Sequence, residues 1–263
     1  MLGLGNSITS NAYYYSGSFS PGDISNLTLW LASNTNITAN QDTDNNTVNH
    51  TTSAGNMADD DQINKWEASG STTIDAVQTN QPDKPRWEAD TADFGAVNFK
   101  AALKFMDLNS QINCTGACSF VLRLKPTDLS AVRAIIGSSN TEFLQFQSNA
   151  QLRIKVDNNQ VNFTEASNTI ATNEYTILTL TRNSSDEWNL YAKTDGSSYN
   201  VEEQWGTADQ VQAGTFTVSN IGCKSDDSAN FNGFIKDVLI YNGTALNATQ
   251  RAELYGYIHD QQY

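Results

Sequence analysis

"GFIKDVLIYNGTALNATQRAELYGYI", running from Gly233 to Ile258, changes its grammar halfway along. Up to Tyr241 it is rich in β-branched, aliphatic and aromatic residues and reads as a strand. From Asn247 it reads as a helix. Asn247 is suited to cap the first turn, and Gln250 stands three residues on as its capping-box partner. Leu254, Tyr257 and Ile258 then recur at helical spacing as one apolar stripe. So short a helix is marginal alone and must dock on the body to which the strand belongs.

Outward from this stretch the pattern is strand after strand. "LTLWL" (27–31) is short and apolar, and "AVNFKAALKF" places Val97 and Phe99 on one side. "CSFVLRLKPT" alternates, with Phe120, Leu122 and Leu124 facing one way and Val121, Arg123 and Lys125 the other, as in a half-buried strand. In "AQLRIKVD" Leu152, Ile154 and Val156 point inward; the Asn residues of "DNNQ" turn the chain, and Val161 and Phe163 begin the return strand. "EYTILTLTRNSSDEWNLYAKTDG" is a second hairpin, turning at 183–186, and "TFTVSNIGC" completes the set. About ten to twelve strands with no intervening helices predict an all-β, antiparallel two-sheet sandwich. The stretch from Ser33 to about Gln81, containing "INKWEASG", reads as a long polar loop.

Composition narrows the chemistry. The 263 residues carry 29 acids against 15 bases, a formal charge of −14, with no basic run longer than two residues. Tracking phosphates needs concentrated positive charge, so nucleic acid is excluded as a partner. No apolar run approaches the roughly 18 residues that cross a membrane, so no membrane insertion is expected. The opening residues lack the basic and apolar regions of a signal peptide. Three cysteines, Cys114, Cys118 and Cys223, are no disulfide framework; the turn in "NCTGACSF" can bring two of them together or leave both free. Residues 1–23, rich in Gly, Ser and Tyr, predict an extended N-terminal arm ended by the turn "SPGD". Its Tyr13, Tyr14, Tyr15 and Phe19 are the candidates for attachment or oligomerisation, or else lie over the domain's own surface.

"LTLWLAS", then "INKWEASG", then "QPDKPRW" before "GAVNF", and finally "GFIKDVLIYNGTALNATQRAELYGYI" resemble, in that order, the laminin-G-like branch of the concanavalin A-like lectin/glucanase superfamily. Ala32 and Glu67 depart from the residues common in that branch. The resemblance covers residues 24–263 and implies a jelly-roll domain whose closing helix packs at the sandwich edge. The opening, "MLGLGNSITS" through "FSPGDISNLTLWL", is similar to virion structural proteins of marine tailed bacteriophages. That similarity implies a capsid-decoration, neck or tail protein on the virion surface, assembled in the host bacterial cytoplasm. Its partners would be other virion proteins and further copies of itself. A tail-fibre or tail-tip adhesin for host-surface glycans is the alternative, and a glycoside hydrolase a distant one.

No catalytic residues are expected. A retaining glucanase needs two carboxylates about 5–5.5 Å apart, and an alternating strand would supply them. "WEADTAD" offers Glu88, Asp90 and Asp93, but between Pro85 and Gly95 and without interleaved β-formers. No cofactor is expected. Calcium stays possible through Asp226 and Asp227 or through Asp59–Asp61, whereas the loop beginning at Asp42 lacks the Gly and Glu of an EF-hand. For sugar stacking the candidates are Trp205, in polar "EEQWGTAD", together with Trp87 and Trp66. Trp30 and Trp188 lie in strands and are expected in the core, and for Trp66 the resemblance implies the alternative of a structural plug beneath the long loop.

Overall fold

The computed structural model describes residues 19–33, 37–40, 49–50, 60–88, 95–100, 104–165, 169–194, 202–225 and 229–260. These form eighteen strands and one α-helix. The strands are β1 (Leu27–Ala32), β2 (Ile37–Asn40), β3 (Asn49–His50), β4 (Gln62–Trp66), β5 (Ala76–Val77), β6 (Arg86–Glu88), β7 (Ala96–Asn98), β8 (Met106–Cys114) and β9 (Cys118–Pro126). There follow β10 (Arg133–Ser139), β11 (Glu142–Ser148), β12 (Gln151–Val156), β13 (Asn159–Thr164), β14 (Thr176–Arg182), β15 (Glu187–Thr194), β16 (Glu203–Val211), β17 (Phe216–Ile221) and β18 (Gly233–Asn242). The helix α1 spans Ala248–Asp260.

Two antiparallel sheets face each other. One runs β1-β18-β9-β14-β15-β16. The other runs β5-β8-β17-β10-β11-β12-β13. A ribbon of β2, β4, β6 and β7 joins them along one side, because β4 pairs with β5 while β7 pairs with β18. On the opposite side β13 and β16 meet. Gly206, at φ +71°, permits this close approach: a Cβ there would stand 3.2 Å from the Phe163 Cα. Joining the sheets on both sides leaves little free strand edge for uncontrolled pairing.

The inward residues of "QLRIKV" and "FVLRL" meet in one core: Leu152, Ile154 and Val156 from one sheet, Phe120, Leu122 and Leu124 from the other. Phe216 joins the two layers edge-on, its ring 5.3 Å from that of Phe120 and 6.0 Å from that of Trp188. The predicted hairpins form. Between β12 and β13 the two left-handed residues are Asp157 and Asn158, while Asn159 already pairs with Val156. In the second hairpin Asn183 Oδ1 accepts from the amides of Ser185 and Glu187.

Four expectations change. The strands number more than predicted: β8, β16 and the strands within the polar stretch 33–81 are too polar or too short to declare themselves, and β10 and β11 bury four residues in a row instead of alternating. β9 is not half-buried: Val121 and Arg123, on its second face, are as enclosed as Phe120. The cover is α1, which lies across the outer face of the six-stranded sheet, not at its edge. Leu254, Tyr255 and Ile258 pack on Val121, Ile177, Leu239 and Tyr241. Asn247 and Gln250 form the expected capping box, each side chain accepting from the other's backbone N–H at 3.0 Å. Finally, the folded body begins before residue 24. Ser20 caps a 3-10 turn at Pro21–Asp23, Pro21 is buried, and the Tyr241 hydroxyl donates to the Pro21 carbonyl at 3.1 Å.

Candidate functional site

Among the described residues no helix lies on the outer face of the seven-stranded sheet, and along β8 and β17 that face is built of polar side chains. β8 creates it. Met106, Leu108, Ile112 and Cys114 turn into the core, so Asp107, Asn109, Gln111 and Asn113 must project outward. β17 continues the surface with Thr217 opposite Asn113 and Asn220 opposite Asp107. The Asn220 amide donates to Asp107 Oδ1 at 2.5 Å, and Ser219 donates to Asn220 Oδ1 at 2.7 Å. Thr217 Oγ1 lies 3.1 Å from both Asn113 Oδ1 and Glu142 Oε1, and Ser138 donates to Glu142 Oε2 at 2.9 Å. At the joined side Asn109 bonds Asp75, which Lys65 Nζ approaches to 3.0 Å. Hydrogen bonds to Asp75 and Glu67 hold the Lys65 ammonium above its usual pKa. On β11, Gln145 Oε1 and Gln147 Nε2 are buried without hydrogen-bond partners.

Amides, hydroxyls and carboxylates in adjacent rows can exchange hydrogen bonds with a polyhydroxylated ligand. Glycosidic hydrolysis asks for more. Asp107 engages Asn220 and Glu142 engages Thr217, on either side of the bulge between Val218 and Asn220 in β17. Retaining glycosidases hold their carboxylates at about 5–5.5 Å and inverting ones at about 6.5–9.5 Å. Asn, Asp and Ser are poor strand formers, so "MDLNSQINC" carries only a weak strand signal. Its period-two alternation was the available signal.

The residues proposed from sequence fall elsewhere. Trp205 is 1% exposed and Trp87 2%, while Trp66 is wholly buried, so none can stack on a sugar. Trp205 turns inward from β16 opposite Leu190. Trp66 plugs the core and donates its Nε1–H to the Ala32 carbonyl at 3.0 Å. Because that acceptor is backbone, the departure at Ala32 does not disturb it; Glu67 pairs with Lys65 at 3.1 Å. Trp87 packs so closely on Gly95 (φ +77°) that a Cβ there would lie 2.0 Å from its Cζ2. Trp188 is core as expected, whereas Trp30 points outward and meets Tyr257 edge-on at 5.9 Å.

Glu88 accepts from Asn98 Nδ2 at 3.0 Å. Asp90, Asp93, Asp59, Asp226, Asp227, Asp42, Asp44 and Asn46 lie outside the described residues, as do Tyr13, Tyr14 and Tyr15. Phe19 is half-buried against Tyr257. Among the described residues no three His, Cys, Asp or Glu side chains gather to hold a metal ion, and no helix is long and apolar enough to cross a membrane.

Comparison with solved structures agrees with the sandwich. A GH54 α-L-arabinofuranosidase mutant superposes with a TM-score of 0.56 at 10% identity over 78% of this chain and 52% of that one. An arabinofuranosidase complexed with arabinofuranosyl-α-1,2-xylobiose gives 0.53 at 10% identity, with the same coverage. A Trypanosoma rangeli sialidase gives 0.48 at 12% identity over 88% of this chain and 32% of its own. The chain thus spans about a third to a half of the length of these proteins. No curated protein matches it by sequence. The family model for the concanavalin A-like lectin/glucanases superfamily matches residues 100–250, from the polar strand β8 to the first turn of α1. Sandwich, closing helix and matched residues together make this chain a member of the concanavalin A-like lectin/glucanase superfamily.

Proposed function

We propose that this protein is a non-catalytic structural protein of a bacteriophage particle, a sandwich displayed outward and attached by residues 1–23. The observation that carries the reading is the root of the arm. Phe19 packs on Tyr257, Pro21 is tied to Tyr241, and Ile24 is buried beneath α1. A chain leaving from so firm a point can bear load without loosening the sandwich. Virion proteins and further copies of this chain are the expected partners, in capsid decoration, neck or tail.

Deleting residues 1–18 tests the arm while sparing its packed root. The truncated protein should keep its melting temperature and fail to enter particles; normal incorporation would overturn the anchoring role. Quantitative mass spectrometry of purified particles tests the location. Copies comparable to the major capsid protein mean decoration, far fewer mean neck or tail, and none overturns the virion reading.

A second reading, an adhesin for host-surface glycans, is favoured by the polar face of β8 and β17. The superposition on an arabinofuranosidase complexed with an arabinofuranosyl oligosaccharide bears on the fold of such a binder. Glycan-array binding lost in Asn113→Ala and Asn220→Ala would support it; binding that survives both would place the ligand elsewhere.

A further inference from the structure

We propose that Cys114 and Cys118 are a latent cross-link site, a thiol pair placed to become one disulfide that staples the two sheets where the chain passes between them. The inference is independent of the virion reading. It rests on the five-residue segment "CTGAC" and its surroundings.

Cys114 is the last residue of β8 and pairs with Phe216 in the seven-stranded sheet. Cys118 is the first residue of β9, between Arg182 and Asn242 in the six-stranded sheet. The bond would therefore join the layers themselves, since β8 and β9 are not hydrogen-bonded neighbours. Both side chains face the common core, both are free thiols, and they stand at the two ends of one three-residue turn. Forming the S–S bond needs Cα atoms less than about 7 Å apart, a span that the ends of so short a turn can meet. The turn has room: a Cβ on Gly116 would meet nothing within 4 Å. Arg182 Nη1, bonded to the Cys114 carbonyl at 3.3 Å, holds one end in place meanwhile.

Cys223 is not a competitor. It lies two residues beyond the far end of β17, whose rise from Phe216 to Ile221 is itself roughly 17 Å, whereas bridged cysteines have Cα atoms less than about 7 Å apart. The neighbouring Cys114 thiol and then burial resist ionisation of Cys118, so the reduced pair persists until a strong or small oxidant reaches it.

With hydrogen peroxide the chemistry balances. One thiol loses its proton and attacks a peroxide oxygen, giving a sulfenic acid and one water. The second thiol displaces the sulfenic oxygen as another water and forms the S–S bond. Two thiols are oxidised by two electrons and one peroxide is reduced.

The test uses the full chain carrying Cys223→Ala, treated with hydrogen peroxide while folded. In parallel it is refolded from urea with oxidised glutathione, which takes the same two electrons and leaves as two glutathione thiols. Alkylation and peptide mapping should find the 114–118 linkage by at least one route. Closing so short a loop should raise the melting temperature by about 4–8 °C, reversed by dithiothreitol. A linked protein that melts lower than the reduced one, single-cysteine sulfinic acid without linkage, or thiols fully alkylatable after both treatments would each overturn the proposal.

Discussion

The indole of Trp66 and that of Trp205 look alike in sequence, each between polar neighbours, yet both end in the core. If Trp205 were a sugar platform its truncation would leave stability untouched. Instead Trp205→Ala should destabilise the fold by about 3–5 kcal/mol in urea denaturation, and Trp66→Phe, which keeps most of the packing but strands the Ala32 carbonyl, by about 1–3 kcal/mol. Asp128 shows the opposite case, a surface group whose chemistry is local. The Ser130 hydroxyl and amide, then Arg133, hold its carboxyl at about 2 instead of 3.8. The folded chain therefore keeps Asp128 ionised where the unfolded chain protonates it, so its contribution is full above the ordinary carboxylate pKa and fades as pH falls towards 2. Thermal melts should show Asp128→Asn less stable than the parent at neutral pH, with the gap closing between about pH 4 and pH 2.

At the scale of elements, α1 turns the outer face of the six-stranded sheet into a second core. Its cap is local, Asn247 to Gln250, and Asn247→Ala should cost about 0.5–2 kcal/mol. Its seat is distant. Tyr255 and Thr179 share a hydrogen bond of 2.9 Å, and Arg251 bonds Glu202 and stacks 3.6 Å over the Tyr191 ring. Tyr255→Phe should lower the urea midpoint by less than Leu254→Asp, which places a charge against Val121 and Leu239 and should abolish soluble expression. The cap and the two hairpin turns were legible because side chains three or four residues apart determine them. β8 was not, since its apolar half is only Met, Leu, Ile and Cys and its outward half favours loops.

Across the whole molecule, a charge of −14 repels itself at low ionic strength. Raising salt from about 10 mM to about 150 mM shortens the screening length from about 30 Å to about 8 Å, and the melting temperature should rise. A fall would mean that enclosed pairs such as Arg182–Asp186 and Arg251–Glu202 outweigh the general repulsion. The same surplus of acid appears on the polar sheet face, where Asp75, Asp107 and Glu142 stand among amides.

What the sequence determined by itself is the direction of each side chain along its strand, the hairpins and the helix cap. Leu152, Ile154 and Val156 point inward because successive residues of a strand alternate. Asp157–Asn158 turns because both tolerate a left-handed backbone. Only the tertiary structure decided what lies beyond each face. Whether Val121 meets water or Leu254, and whether Trp205 meets a ligand or the core, depends on residues far away along the chain, and period and spacing carry no record of them. Burial is a property of the assembled layers, so the folded sandwich closed Trp205, Trp87 and Trp66 away and left the row of Asp107, Asn109, Gln111 and Asn113 facing out.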